Sequence, residues 1–281
     1  MFSRRQKEWL KKLIPPTALT LYHHLQRLFY KVKLAYYRIT LRGNTYYCPF
    51  CKNTFSRFLP DGKNLPVLNQ YRVIGGGYRT NCICPGCGSK DRERLLYCYL
   101  KQKTGIFSEK PLHVLHIAPE ANLKKVLKQH PQLNYINADL NPGAADVQMD
   151  ITDIPYSDAF FDIILCNHVL EHIPNDGLAI RQLYRVLKPG GQAILQVPFA
   201  EALEHTIENP AITHPADRET QFGQFDHVRI YGHDYLNRLQ NAGFTIAVFT
   251  AANLQNEIDI KKMSLIENEK IFVGYKNSSG G

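Results

Sequence analysis

Four cysteines form the pattern in this sequence with the most specific chemistry. They occur as two CPxC turns, Cys48-Pro-Phe-Cys51 and Cys84-Pro-Gly-Cys87, separated by 32 residues. Each turn places two thiolates on one side of a tight loop, and two such turns complete the tetrahedral ligand set of a structural zinc ion with no position left open for catalysis. Cys82 is a competing ligand, but its spacing of one residue from Cys84 suits a zinc knuckle less well. We expect Zn2+ at the paired cysteines; the alternative is four free thiols.

A second set of candidate residues follows apolar runs that look like strands. Such side chains would meet at the carboxyl edge of a parallel sheet, where open α/β sheets bind their ligands. The predicted strands at 112–118, 135–138 and 161–166 are followed by Glu120, by Asp139, and by Asn167 with His168. A carboxylate at the Asp139 position can accept hydrogen bonds from both hydroxyls of a ribose. The ordered series favours a nucleoside cofactor over isolated solvated side chains.

The stretch from Phe161 to Phe199 predicts a β-α-β unit. Two strand-like runs, 161–166 and 192–197, flank a helical segment at 178–187 in which apolar residues recur at i, i+4 and i+7. A Lys-Pro-Gly-Gly sequence at 188–191 supplies residues that end a helix and turn the chain. The order of FD-strand, LEH segment and KPGG turn resembles the class I S-adenosylmethionine (SAM) dependent methyltransferases, in which these motifs follow one another.

The resemblance implies an α/β fold, with a Rossmann-like seven-stranded sheet completed by strands at 244–250 and 270–275 after a helix at 231–242. It implies SAM as cofactor, with the Asp150 carboxylate receiving the adenine amino group and Ile151 packing on the adenine ring. The remaining candidate contacts to the cofactor are Ala118, Glu120, Asp139, Leu140 and Asn167.

The turn after the first predicted strand departs from the usual glycine-rich ExGxGxG pattern. This chain has His116-Ile-Ala-Pro-Glu120 instead, which resembles the LHxAPE turn of a bacterial methyltransferase subgroup that also carries CPxC pairs upstream. Pro119 favours an extended conformation for Ala118, so that a tight turn without glycine can form there. A non-catalytic SAM-binding or zinc-scaffold protein stays open as an alternative.

The segment 200–230 is too long for a plain connection and should cap the acceptor site. His227 is the first candidate for the base that removes a proton from the acceptor, with Asp226 as an alternative base or metal-binding group. His168 is a further candidate base, beside the expected cofactor edge. We expect Arg229 to anchor an anionic substrate and His172 to orient the loop. A structural hydrogen bond is the alternative role for a histidine in such a polar loop.

The first 43 residues form a basic arm, with ten Lys or Arg and one acid, whereas residues 44–281 hold 24 basic and 24 acidic residues. A helix is predicted from Ala18 to Leu41, capped by Thr17, with an apolar stripe flanked by Lys31 and Arg38. The stripe suits three partners: a membrane surface, the protein itself or a second subunit in a homodimer, and, less favoured, a nucleic acid.

These patterns predict three domains: a basic amphipathic helical arm (1–43), a zinc-ribbon-like module with a linking helix at 89–101 (44–104), and a SAM-dependent methyltransferase domain (105–281). Between the cysteine pairs, residues 71–77 are expected to form part of a ribbon hairpin. With neither a long apolar run nor a cleavable signal, we expect a cytoplasmic protein, peripheral at the inner membrane if the arm binds lipid.

The leading hypothesis is O-methylation of a sugar, a polysaccharide precursor or another small hydroxyl acceptor. No NPPY-like motif, which would indicate methylation of an amide or base nitrogen, is present. Methylation of ribosomal RNA is the alternative, because some enzymes of that class join a cysteine-zinc module to this fold. The neutral charge of residues 44–281 argues against an RNA-reading surface.

Overall fold

A seven-stranded mixed sheet forms the centre of the protein. The computed structural model describes residues 16–254 and 258–278. The sheet strands are β6 (Leu112–Ile117), β7 (Leu133–Asp139), β8 (Val147–Gln148), β9 (Phe161–Cys166), β10 (Leu187–Ile194), β14 (Thr245–Thr250) and β15 (Lys270–Tyr275). Their order is β14-β15-β10-β9-β6-β7-β8, and β15 runs antiparallel to both of its neighbours while the other pairs are parallel. The expected seven-stranded sheet with a closing antiparallel pair is confirmed.

Helices cover both faces of this sheet, so its central strands are apolar almost throughout. They are α3 (Asp91–Lys103), α4 (Ala121–Leu127), α5 (Asp176–Val186) and α7 (Tyr235–Asn241). In α5, Asn175 caps the first turn by accepting a hydrogen bond from the Leu178 amide, and the predicted face of Ala179, Leu183 and Val186 is buried. Each helix lies within a few residues of its predicted range.

The Lys-Pro-Gly-Gly sequence lies inside a strand rather than in a free turn. α5 already ends at Val186, and β10 begins at Leu187 with a shift of register before Gln192. The Lys188 ammonium binds both carboxylate oxygens of Asp162, at 2.8 and 2.9 Å. The predicted strand 192–197 is therefore displaced towards the amino terminus, because the motif is held as a bulge against β9 by this ion pair.

A cysteine-containing module precedes the sheet. It consists of β1 (Arg42–Cys48) paired with β2 (Asn53–Phe55), β3 (Leu59–Asp61) paired with β5 (Arg79–Ile83), the short helix α2 (Pro66–Gln70) and β4 (Val73–Ile74). The prediction that 71–77 belongs to a ribbon hairpin is wrong, because β4 pairs with β11 (Phe199–Ala200), which follows the central sheet strand β10. The module is thus joined to the sheet domain by backbone hydrogen bonds.

The segment that follows β11 folds into β12 (Ile207–Glu208), α6 (Pro215–Phe222) and β13 (Arg229–Ile230), with β12 and β13 paired antiparallel. Phe222 and Ile230 are buried together with Ala200. This small second layer gives the long connection a fixed shape, and the structure places it over the carboxyl edge of the sheet.

The amino-terminal helix α1 (Pro16–Thr40) turns its apolar stripe towards solvent. Leu34 and Tyr37 are half-buried, and Tyr37 packs against the cysteine module. The opposite face carries Leu25, Leu28, Phe29, Val32, Tyr36 and Ile39, which are each 52–72% exposed. The predicted cap Thr17 lies inside the helix, and the start of the arm, 1–15, lies outside the described residues. Among the described side chains, nothing in the chain covers the stripe.

None of the helices within residues 16–254 and 258–278 is both long and apolar enough to cross a membrane.

Candidate functional site

The end of β6 and the turn after it bring His116 together with one acidic and two polar groups at the sheet edge. His116 Nε2 lies 2.7 Å from Glu120 Oε2, and its Nδ1 lies 2.8 Å from the Tyr135 hydroxyl. Asn167 donates a hydrogen bond of 3.4 Å to the other oxygen of Glu120. Although burial alone would raise the pKa of Glu120, the hydrogen bond and charge of His116 hold it below its usual value. Glu120 is therefore an anionic anchor for the turn.

Ala118 adopts a left-handed conformation with φ of 46°, so the prediction of an extended backbone at this residue is wrong. Its amide donates a hydrogen bond to the Ala138 carbonyl, which ties the turn to the end of β7. A left-handed backbone is the conformation that glycine adopts most readily. Ala118 thus reproduces the turn that the glycine-rich pattern makes, at the cost of some strain.

Asp139 and Asp150 lie close together at the carboxyl edge, since the Met149 amide bonds to the Asp139 carbonyl. Each carboxylate uses one oxygen in a local turn, Asp139 with the Asn141 amide at 2.7 Å and Asp150 with the Thr152 amide at 2.8 Å. Their second oxygens make no hydrogen bond with a described residue and can receive a ligand. Ile151 is buried in the core, whereas Leu140 is 58% exposed beside Asp139. Leu140 therefore offers more apolar surface to a cofactor ring than Ile151 does.

A cavity of about 520 Å3 opens next to this edge. One wall comes from the cysteine module and the start of α3, and includes Gly75, Arg79 and Arg92. The opposite wall comes from Pro198, the segment after β9 and the long connection 200–230, called the insertion below, and includes His168 and His227. Gly75 permits the close approach of the two walls, since a Cβ atom there would lie 3.3 Å from His168 Cε1 and 2.9 Å from Glu269 Oε1. The Gly75 turn, predicted as ribbon hairpin, instead shapes this cavity.

His168 links the cofactor edge to the cavity. It follows Asn167 directly, has φ of 55°, and lies with Nδ1 3.6 Å from Glu171 Oε1. Neither ring nitrogen has a hydrogen-bond partner among the described residues, although the side chain is only 9% exposed. Burial and the positive charge of Arg92 lower the pKa of His168 well below its ordinary value. A buried neutral imidazole without a partner can accept a proton from a bound ligand.

Glu171, His172 and His227 form a compact group in the same cavity, their nearest ligand atoms within 4.8 Å of one another. The rings of His172 and His227 lie edge to face, 4.7 Å apart. Burial raises the pKa of Glu171 to about 8, and burial together with the charge of His172 lowers the pKa of His227 to about 4. Asp226 lies at the rim, 43% exposed, with a carboxylate oxygen 3.6 Å from His172 Nδ1. This contact between Asp226 and His172 is the one expected if His172 orients the loop.

Arg229 is a structural residue, and the prediction that it anchors an anionic substrate is wrong. Its guanidinium donates hydrogen bonds to the Glu208 carboxylate and to three backbone carbonyls, those of Leu170, Ile173 and Pro174. The side chain is 3% exposed and also lies 3.7 Å from a carboxylate oxygen of Asp176, so its charge is compensated within the fold. Arg229 instead fixes the short 3-10 segment Leu170–His172 and thereby the position of Glu171.

Basic side chains of the module supply the positive charge of the cavity, which the sequence did not indicate. Arg92, placed by the sequence only on the linking helix, makes a hydrogen bond of 3.3 Å to the Gly75 carbonyl. Lys63, Arg79 and Lys90 also line the cavity, and each forms an ion pair with a carboxylate. The sequence shows that Lys90 and Arg92 are basic. No neighbouring residue in the sequence indicates that they lie across the cavity from His168.

The four paired cysteines converge as expected. Cys48 Sγ lies 3.6 Å from Cys87 Sγ, and Cys51 Sγ lies 3.7 Å from Cys84 Sγ. A tetrahedral zinc ion with Zn–S bonds of about 2.3 Å requires sulfur atoms about 3.8 Å apart, so the donor set fits zinc. Cys82 lies outside the cluster, since its sulfur contacts Asp91 at 3.3 Å.

A family model described as a methyltransferase domain matches residues 104–247. This range is half of the chain, and it contains Glu120, Asp139, Asp150 and His168. The chain belongs to this methyltransferase domain family. The cysteine module and the helix α1 lie outside the matched range.

Individual relatives of the methyltransferase domain match over shorter stretches. The chain is 36% identical over 75 residues to 27-O-demethylrifamycin SV methyltransferase of Amycolatopsis mediterranei, covering 25% of this chain and 28% of the relative. It is 34% identical over 76 residues to malonyl-[acyl-carrier protein] O-methyltransferase of Erwinia billingiae, covering 27% and 29%. A solved SAM-dependent methyltransferase from Archaeoglobus fulgidus shares 16% identity, with a TM-score of 0.42 over 66% of this chain and 94% of that one. The chain spans between 6% and 46% of the lengths of five curated relatives.

The position of Asp139 generates a prediction about cofactor binding. We expect Asp139→Ala to weaken SAM binding at least tenfold, because losing a charged hydrogen bond costs roughly 1.5–3 kcal/mol and 1.4 kcal/mol is a factor of about ten. Calorimetric titration of the full chain with SAM measures the change. Asp217→Ala is the matched control, because it removes an exposed carboxylate of α6 that has no side-chain partner in the part of the chain that the structure describes. Equal affinities of the two variants would show that Asp139 does not hold the cofactor.

Proposed function

We propose that this protein transfers the methyl group of SAM to a hydroxyl of a small polar acceptor, such as a sugar or a polysaccharide precursor. Family membership supports SAM-dependent methyl transfer. The observation that carries the proposal is the adjacency of Asn167 and His168, of which the first contacts Glu120 at the cofactor edge and the second lines the cavity. A donor at that edge and an acceptor in the cavity would meet at this pair of residues.

The cavity suits a polar acceptor of limited size. Its volume of about 520 Å3 lies in the range of small-molecule sites. Of the basic side chains on its module wall, Arg92 forms no ion pair with a described carboxylate, and its charge favours an acceptor that carries a phosphate or carboxylate. A cavity of this volume, together with the neutral overall charge of residues 44–281, favours a small molecule over an RNA surface.

The residues present would divide the work of methyl transfer as follows. When bound, SAM supplies an electrophilic methyl group on a sulfonium, which an acceptor oxygen attacks in line. Asp139 and Asp150 would hold the ribose and adenine, and Arg92 would hold the charged part of the acceptor. His168 would take the hydroxyl proton on a ring nitrogen, and the loop 222–225 would exclude water. Of the three candidate bases, we assign this role to His168, since both of its nitrogens are without a partner among the described residues.

The proposal predicts which cell fraction becomes labelled. We expect full-length protein and SAM carrying a labelled methyl group to modify the glycan or small-molecule fraction of an extract rather than RNA, protein or lipid. His168→Asn should lower this rate by 100-fold or more, the usual effect of removing a general base, while SAM affinity stays unchanged. His205→Asn should keep full activity, because His205 is exposed and its side chain forms no hydrogen bond with a described residue. Labelled RNA would favour the ribosomal RNA alternative, and no transfer with intact SAM binding would favour a non-catalytic protein.

We also infer that the four paired cysteines hold one structural zinc ion. The observed sulfur separations support it, as do the Ser89 hydroxyl contacts with Cys48 and Cys87 sulfurs at 3.2 and 3.3 Å. Four thiolates would fill the tetrahedral ligand set, so zinc would stabilise the module without taking part in methyl transfer.

The zinc inference predicts metal content by elemental analysis. We expect one zinc per chain in the purified protein, and well under half of that in Cys84→Ser with a lower melting temperature. Cys82→Ser is the matched control and should retain its zinc, because Cys82 lies outside the cluster. Equal loss of zinc from both variants would contradict the ligand assignment.

We further infer that the exposed stripe of α1 rests on an anionic membrane surface and keeps the protein peripheral to the membrane. Packing of the stripe on this chain is not observed among the described residues. The arm that carries it has ten basic residues, among them Lys33 and Arg38 with exposed side chains. Apolar area combined with basic residues is the composition of helices that lie in a membrane interface.

Vesicle sedimentation checks this inference. We expect the full chain to bind vesicles of phosphatidylglycerol and phosphatidylcholine, to bind pure phosphatidylcholine vesicles several-fold less, and to lose binding as salt increases. Phe29→Ser with Ile39→Ser should weaken binding several-fold, whereas Tyr78→Ser with Val248→Ser, which removes exposed apolar residues elsewhere, should not. Dimerisation that requires the stripe, without vesicle binding, would assign it to a second copy and overturn the membrane inference.

A further inference from the structure

Two histidines and a glutamate form a candidate metal site inside the acceptor cavity. Glu171 and His172 are neighbours on the 3-10 segment Leu170–His172, and His227 comes from the insertion. The insertion is held against this segment by the hydrogen bond from the Val228 amide to the Glu171 carbonyl, 2.9 Å long. The three side chains each offer one ligand atom, and these atoms lie within 4.8 Å of one another.

Both histidines present one ring nitrogen to an acceptor outside the cluster. His172 Nδ1 lies 3.3 Å from the Asp226 carbonyl oxygen and 3.6 Å from its carboxylate, and His227 Nδ1 lies 3.3 Å from the Phe222 carbonyl. A histidine that binds a metal typically donates its other N–H to a carboxylate or a backbone carbonyl, which fixes the ring. The Nε2 atoms of both rings make no hydrogen bond with a described residue.

The carboxylate of Glu171 lacks a partner where one is expected. Its side chain is 2% exposed, and Oε2 has no hydrogen bond among the described residues. A buried polar atom without a partner costs roughly 1–3 kcal/mol, so its persistence indicates a ligand. Arg229, which bonds the carbonyls of Leu170 and Ile173, holds the backbone on both sides of Glu171 in place.

We propose that Glu171, His172 and His227 bind a divalent transition-metal ion, with Zn2+, Mn2+, Fe2+ or Co2+ as the suitable class. Two imidazoles and one carboxylate on one side of an ion leave its other positions open towards the cavity. Ligand atoms at about 2.1 Å from an ion lie roughly 3.0–3.4 Å apart, so ligand atoms separated by as much as 4.8 Å need to approach one another by up to about 1.4–1.8 Å. This site differs from the cysteine cluster in its ligand atoms and in its open positions.

The consequence for catalysis rests on the proposed function, whereas ion binding does not. A hydroxyl of the acceptor coordinated to the ion becomes more acidic, and its proton passes to His168. The oxygen then forms a bond to the methyl carbon as the carbon–sulfur bond of SAM breaks, and the sulfur leaves as a neutral thioether. This arrangement makes His227 a ligand rather than the base.

Cobalt is the probe for this site. Full-length protein with its cysteine cluster loaded with zinc is titrated with Co2+ and followed by visible absorption. Cobalt on cysteines gives intense thiolate-to-metal charge-transfer bands, whereas cobalt on imidazole and carboxylate gives only weak d–d bands. We expect one equivalent to bind without thiolate bands. Affinity should fall at least 50-fold in Glu171→Gln and in His227→Asn, and 10- to 100-fold in Asp226→Asn, the usual range for outer partners.

The outcomes separate the metal site from the proposed activity. His205→Asn should bind cobalt as the unchanged protein does, and circular dichroism and SAM calorimetry show that each variant is folded. Absent cobalt binding, or equal binding in all variants, would overturn the metal site even if methyl transfer proceeds. Cobalt binding that depends on Glu171 and His227 supports it, even in a protein that transfers no methyl group.

Discussion

The buried guanidinium of Arg94 is the interaction on which the arrangement of the two parts depends. It donates hydrogen bonds to the carbonyls of Cys82 and Ser89 in the cysteine module and to those of Met263 and Ser264 before β15, and it lies 4.5 Å above the Phe58 ring. No carboxylate forms an ion pair with it among the described residues, so the carbonyl dipoles and the face of the Phe58 ring compensate its charge. Losing such a set of buried, charged hydrogen bonds costs several kcal/mol. The module is thereby held as a rigid wall beside the sheet.

The attachment of the cysteine module to the sheet explains how a common α/β fold forms this particular cavity. The sheet supplies the cofactor edge, as in other open α/β proteins, through residues that follow its strands. The acceptor cavity requires a second wall, which β4 provides by pairing with β11 and which the Gly75 turn brings against His168. The cavity is therefore lined by the module and the insertion, and the module lies outside the matched methyltransferase domain.

The sequence predicted features that depend on neighbouring residues and missed those that depend on distant ones. The bounds of β9 and β15 were right because an apolar run between breaking residues is a local signal, and Asp139 and Asn167 were located from the same runs. Three features could not be predicted from the sequence: the pairing of β4 with β11, the bonding of the Arg229 guanidinium within the fold, and the orientation of Arg92 towards the cavity. Each depends on a contact between segments far apart in the chain. At Ala118, the following proline favours an extended backbone. The hydrogen bond from the Ala118 amide to the Ala138 carbonyl stabilises a left-handed turn instead.

The strongest structural indication of function is the position of buried polar atoms that have no hydrogen-bond partner. Folded proteins pair nearly all buried polar groups, because an unpaired one costs roughly 1–3 kcal/mol. Among the described residues, five of the nine such atoms lie on Asn167, His168, Glu171 and Glu269, near the cavity and the cofactor edge. The other four lie on Arg79, Tyr99, Gln102 and Gln192. Apolar replacements at the four residues near the cavity and the cofactor edge would stabilise the empty fold. Retaining polar groups there is favourable only if a bound molecule or ion completes their hydrogen bonds, so the same atoms that weaken the free protein provide its binding energy.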